Sequence, residues 1–201
     1  MKYFLDSVNI NEIEKQLQFI DGVTSNPILL DEAKINSIDF LKSINNFNFL
    51  KFVQVSSTNI EQLDYILASS DFRSSNIIFK VSMHPDNYDL IKKLKNAGCK
   101  VSATTIYDII QVNQAIEMGC DYTMVYYHKN NYKNLMIDAY ELKQKTNSNI
   151  KLVGASIRTP SEVIMAIESG MDYVTIKSNV MEETFYNKQL NDDLKIINNL
   201  I

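Results

Sequence analysis

Short apolar runs alternate with longer stretches of helical periodicity along the whole chain, at a spacing of roughly 25 residues. Runs at residues 2–5, 22–24, 52–55, 76–81, 100–103, 121–126, 151–155 and 173–176 predict eight strands. Over residues 85–95, Tyr88, Ile91 and Leu94 fall on one helical face, and Ala97-Gly98 ends the pattern. Thr159-Pro160-Ser161-Glu162 joins a capping hydroxyl, a proline suited to the first turn and an acid near the N-terminus. Val163, Ile164 and Ile167 continue that helix as its apolar face, and Ser169-Gly170 closes it. In three segments a helix pattern ends on glycine followed by Cys or Met and then Lys or Asp, where glycine supplies a left-handed cap before the next strand.

Strand–helix alternation repeated eight times predicts parallel strands. Eight such units close a single (β/α)8 TIM barrel of the α/β class, here spanning residues 1–201 with a C-terminal helical tail from about residue 180. A doubly wound open sheet is the alternative, weakened because no strand runs into a Gly-x-Gly-x-x-Gly turn. Composition agrees with an ordinary globular chain, 45% apolar and 22% charged. The net charge of −4 includes no basic cluster, which argues against nucleic acid as a partner. No apolar run approaches the roughly 18 residues of a membrane span, and Asp6 arrives too early for a signal-peptide core, so the expected location is the cytoplasm. Cys99 and Cys120 read as two small buried thiols, and His84 and His128 are isolated, so no metal site is expected.

In such a barrel the C-terminal strand ends carry the chemistry. Those positions hold Asp6, Thr24 with Asn26, Gln54, Lys80, Thr104, Tyr126, and Ser156 with Arg158. Lys80 interrupts the apolar run Asn76-Ile77-Ile78-Phe79-Lys80-Val81. Desolvating an ammonium costs several kcal/mol, and a lysine that gives up its proton near neutral pH attacks carbonyls to form Schiff bases. Each residue also has a plainer reading. Lys80 and Arg158 would reach solvent, as would Lys129, and Asp6, Thr104 and Ser156 would cap helices. Asn26-Pro27 would be a turn, and Tyr126 a core aromatic. Lys177 ends the eighth strand much as Lys80 lies near the end of the fourth, and the chemistry alone leaves both open. The argument for a site is their joint placement around one rim.

Phe4-Leu5-Asp6, Gly22-Val23-Thr24-Ser25-Asn26-Pro27, Phe79-Lys80-Val81, Thr104-Thr105-Ile106-Tyr107 and Ala155-Ser156-Ile157-Arg158-Thr159-Pro160 occur in this order. They resemble the signature segments of the small transaldolase-like family of class I aldolases. The resemblance implies a (β/α)8 barrel with its Schiff-base lysine on strand four, which selects Lys80 over Lys177. It implies the fructose-6-phosphate aldolase branch, since that branch carries glutamine and tyrosine where this chain has Gln54 and Tyr126, while transaldolases carry glutamate and phenylalanine.

The roles implied are Tyr126 as acid/base, with Gln54 and Thr104 holding a water, and Asp6, Asn26 and Thr24 around the dihydroxyacetone unit. Ser156, Arg158 and Lys129 would hold the phosphate. No metal or organic cofactor is implied. The substrate implied is a sugar phosphate and the assembly a homo-oligomer, a pentamer or decamer, to which Leu190, Leu194, Ile197 and Ile201 lend helix-like apolar spacing. The chain departs from the pattern at Lys129, where an arginine is common, at His128, usually asparagine, and at Lys177, usually neutral. Transaldolase is the alternative activity, and a barrel that binds sugar phosphates without turnover is a third reading.

Overall fold

The structure, a computed structural model, describes residues 1–57, 60–68, 76–127, 134–186 and 188–198. His128, Lys129 and Ile201 lie outside the described residues, as does the side chain of Leu190. The elements are β1 (Lys2–Asp6), α1 (Ile10–Gln16), β2 (Gly22–Thr24), α2 (Pro27–Glu32), α3 (Ser37–Ser43), β3 (Leu50–Val55), α4 (Ile60–Ala68), β4 (Ile77–Ser82) and α5 (Tyr88–Asn96). They continue as β5 (Lys100–Ile106), α6 (Ile109–Glu117), β6 (Tyr122–Tyr126), α7 (Leu135–Lys145), β7 (Lys151–Ile157), α8 (Pro160–Glu168), β8 (Tyr173–Ile176), α9 (Ser178–Phe185) and α10 (Lys188–Asn198). The strands pair in chain order, all parallel, and β8 returns to β1 to close the barrel.

The helices start and stop where their chemistry says they should. Thr159 caps α8 by accepting from the Glu162 N–H, and Pro160 occupies the first turn. The glycines after α5, α6 and α8 all take positive φ, as the left-handed cap requires. Over residues 85–95 the first turn is a 3-10 helix, Pro85–Asn87, and the α-helix begins at Tyr88. At the N-terminal face, Asp21, Asp121 and Asp172 repeat one device. Each carboxylate accepts a backbone N–H from the neighbouring strand and pairs with a lysine.

Strand alternation decides what the barrel encloses. Outward positions pack under the helices in one large core, including Leu5, Val53, Phe79, Val81, Val101 and Ala103. Inward positions form a separate cluster of Phe4, Phe52, Ile78, Tyr122, Met124, Val153 and Ala155, with Leu50, Tyr126 and Tyr173 against it. Phe4 stacks on Tyr173 with ring centroids 4.6 Å apart and meets Phe52 at 4.7 Å. These rings floor the barrel.

Gly22 keeps β2 close to this floor. A Cβ there would lie 2.6 Å from the Leu50 carbonyl oxygen and 3.0 Å from the Phe4 ring.

β5 and β7 each carry an irregularity, between Ala103 and Ile106 and between Gly154 and Ile157. In both, a non-glycine residue takes positive φ: Thr105 at 58° and Ser156 at 62°. The extra residue explains why Ile106 and Ile157 face the helices when strict alternation would turn them inward. Both strands therefore run past the ends expected at residues 103 and 155.

Candidate active site

Two residues along a strand return a side chain to the same face. Moving that step toward the C-terminal end from Phe4, Gly22, Phe52, Ile78, Ser102, Met124 and Tyr173 reaches Asp6, Thr24, Gln54, Lys80, Thr104, Tyr126 and Thr175. A ring of polar groups thus lies directly above the apolar floor.

Lys80 is the centre of that ring. It is buried, and its Nζ donates a 2.7 Å hydrogen bond to the Ser25 carbonyl oxygen. Ser25 is held by bonds from its own N–H and hydroxyl to the Phe52 carbonyl, so the acceptor is fixed. Desolvation lowers the Lys80 pKa to about 8, against the opposing pull of the Asp6 carboxylate. An amine so placed has an appreciable neutral fraction near neutral pH.

Register places Gln54 beside Lys80 across β3 and β4. Asp6 accepts from the Thr24 hydroxyl at 2.9 Å, and Thr24 Oγ1 lies 2.7 Å from Thr175 Oγ1. The helix-cap alternative for Asp6 fails, because Asn9 caps α1. For Asn26 the plainer reading holds in part: its Oδ1 accepts from the Leu29 N–H and caps α2. Asp108 and Thr159, rather than Thr104 and Ser156, cap the helices after β5 and β7.

Tyr126 is half-buried, hydrogen-bonded to Thr104, and packed edge-on against Tyr107 at 5.4 Å. Burial raises its pKa, a shift that the Thr104 hydrogen bond opposes, so it stands in the site as a neutral phenol able to donate a proton.

Ser156 is half-buried within the β7 bulge, and Arg158 is exposed just beyond the strand. Lys129 lies outside the described residues. Lys177 is exposed at the end of β8.

Among the described residues, a second buried lysine is Lys51, which the sequence reading passed over. It points outward from β3 and donates to the Phe47 carbonyl at 2.6 Å, far from the mouth, so its lowered pKa serves no site there. Thr175 and the Ser25 carbonyl were also missed. Thr175 had a signal, a polar inward position in a short strand, but a backbone acceptor has none.

A cavity of about 390 Å³ opens at the opposite end of the barrel, lined by Lys100, Cys120, Asp121, Tyr122 and Lys151 among others. Its thiol is unreactive by environment, since burial pushes the Cys120 pKa up to about 12. Cys99, expected buried, is half-buried. Among the described residues, no three His, Cys, Asp or Glu side chains gather where they could hold a metal ion.

Comparison with known proteins adds an independent line. The family model described as Transaldolase/Fructose-6-phosphate aldolase matches residues 3–200. A probable fructose-6-phosphate aldolase of Streptococcus pneumoniae is 31% identical, over 92% of this chain and 89% of that protein. A probable transaldolase of a Sulfurihydrogenibium species is 28% identical, over 91% and 88%. Among solved structures, a mandelate oxidase mutant with the monooxide FMN adduct superposes with a TM-score of 0.54. It covers 70% of this chain and 52% of its own, and at 13% identity it speaks to the fold alone.

Proposed function

The chain belongs to the transaldolase/fructose-6-phosphate aldolase family, and from that premise we propose that it is a Schiff-base aldolase acting on fructose 6-phosphate. It cleaves that sugar to dihydroxyacetone and glyceraldehyde 3-phosphate, and joins the two in reverse. The observation that carries this reading is a buried lysine with a pKa of about 8, set among a carboxylate, an amide, a hydroxyl and a neutral phenol.

Neutral Lys80 attacks the ketone carbon, and the carbinolamine takes up a proton from solvent and loses water to give an iminium ion. The bond between the third and fourth carbons then breaks, its electrons flowing into the iminium to form an enamine. The proton on the fourth-carbon oxygen leaves at the same time. Tyr126, with Gln54 and Thr104 beside it, relays that proton: its oxygen accepts the substrate's hydrogen as its own passes to water, so the phenol ends neutral. In the reverse direction the phenol protonates the aldehyde oxygen as the new bond forms. Asp6 and Thr24 bind hydroxyls of the three-carbon unit, joined by the amide N–H groups that Asn26 keeps after capping α2. Ser156 and Arg158 face the phosphate, a role the family resemblance extends to Lys129, and the guanidinium provides a planar fork.

Transaldolase activity is the second reading, favoured by the relatives that bear that name. Tyr126 supports the aldolase reading, because a phenol exchanges protons and the phenylalanine of the transferase pattern does not.

Borohydride reduction in the presence of dihydroxyacetone, followed by peptide mass analysis, tests the reading. An adduct on Lys80, with free dihydroxyacetone released from fructose 6-phosphate alone, is the expected result. Turnover that requires a second sugar phosphate would move the chain to the transferase. Binding of the sugar without any adduct would leave a barrel that does not catalyse.

A further inference from the structure

We infer that Lys177 is a further cation of the substrate site, working with Arg158 to hold the phosphate; the inference rests on the aldolase reading above. The β7–β8 ladder ends with Ile157 opposite Ile176, and the β8–β1 ladder ends with Leu5 opposite Ile176. One step further along both ladders, Lys177 stands between Arg158 on one side and Asp6 on the other.

Alternation sets its direction. Tyr173 belongs to the barrel interior, and Thr175 meets Thr24 beneath the mouth. Lys177 is the next inward position, so its stem starts on the wall of the mouth itself.

No carboxylate lies within 4 Å of its ammonium among the described residues. Lys2, Lys15, Lys95 and Lys143 each pair with a carboxylate within 4 Å, whereas among the described residues Lys177 and Arg158 pair with none. The bond near Arg158 comes from its backbone N–H, which donates to Glu162. The helix that begins after Lys177 has no acid in its first turn.

Two cations on adjacent strand ends repel unless an anion lies between them, and a phosphate offers three acceptor oxygens to both. The loops after strands seven and eight are where barrels of this type commonly hold phosphate. Asp6, on the far side of Lys177, repels the same anion and biases it toward β7. Sugar hydroxyls are then left to Asp6.

The test compares wild type, Lys177→Met and Lys177→Arg on fructose 6-phosphate and on fructose, which differ only in the phosphate. Lys177→Met is expected to raise KM for fructose 6-phosphate about tenfold, as loss of one charged hydrogen bond does. Its kcat, and cleavage of fructose, are expected to stay unchanged, with Lys177→Arg restoring most of the affinity. An equal effect on both substrates, or none on either, overturns the inference.

Titration with inorganic phosphate, followed by calorimetry, reads the site without catalysis. Weaker phosphate binding by Lys177→Met supports the cation site even if Lys80 cannot be trapped as an imine, in which case only the aldolase reading falls. Phosphate binding that is the same in both proteins removes Lys177 from the site whatever the activity.

Discussion

Lys80 is a residue whose reactivity and stability pull in opposite directions. Lowering its pKa from the ordinary 10.5 to about 8 corresponds to a cost of about 3 kcal/mol for carrying the charged amine into the fold. Below pH 8 both folded and unfolded chains hold that proton, and the folded state bears the full penalty. Between pH 8 and 10.5 the unfolded chain binds more protons than the folded one, so stability rises with pH and the penalty fades. Lys80→Met is therefore expected to be inactive yet more stable than wild type at pH 7, by roughly 1–3 kcal/mol in urea unfolding, with the gap closing toward pH 10. A variant less stable than wild type at pH 7 would refute this account. On the proposed mechanism the same proton governs catalysis, so imine formation is expected to accelerate as pH rises through about 8.

On the proposed mechanism Tyr126 acts at a later step. Tyr126→Phe is expected to lower kcat by about 10²-fold while leaving borohydride trapping on Lys80 intact. Loss of trapping as well would make the phenol a structural support for the lysine.

At the scale of elements, two bulges shape the rim. Thr105 and Ser156 hold left-handed backbone that costs on the order of 1–3 kcal/mol for a non-glycine residue, and each lies at the end of a strand bordering the site. The apolar alternation stops at these points, which is why strands read from period alone end at Ala103 and Ala155. A bulge inserts one residue and reverses the phase, so no continuous pattern crosses it.

β2 shows the opposite situation, where the sequence names the residue and the packing gives the reason. Gly22 opens the short strand leading to Thr24 and Ser25, and Leu50 and Phe4 leave no room for a methyl group. Gly22→Ala is expected to cost about 1–3 kcal/mol and to shift the Ser25 carbonyl away from Lys80. Unfolding midpoints and the rate of imine trapping check both effects, and a neutral substitution would show that β2 yields easily.

For the molecule as a whole, exposed apolar side chains recur in groups on α8 and α10. Ile164, Met165 and Ile167 lie on α8, and Leu194, Ile196 and Ile197 on α10. Surfaces of this kind are commonly covered by another chain. The protein is expected to sediment as a homo-oligomer, a pentamer or decamer; a species of 23.1 kDa at micromolar concentration would contradict it. Among the described residues, no helix is long and apolar enough to cross a membrane.

The number and order of the strands and the polar residues at the ends of the first seven were legible in the sequence, because alternation is a local property that a chain carries without its neighbours. Lys80 stood out for the same reason, as a cation in an apolar run. Whether that cation is buried, and how far its pKa falls, depended on closure of the barrel. Closure brings Ser25 under the amine and sets Thr175 against Thr24, residues far apart in the chain. Burial is a sum over such remote neighbours, and no local period records it. That is why Lys51 passed unnoticed as a second buried lysine while Lys177, chosen as the rival, proved to stand exposed at the mouth.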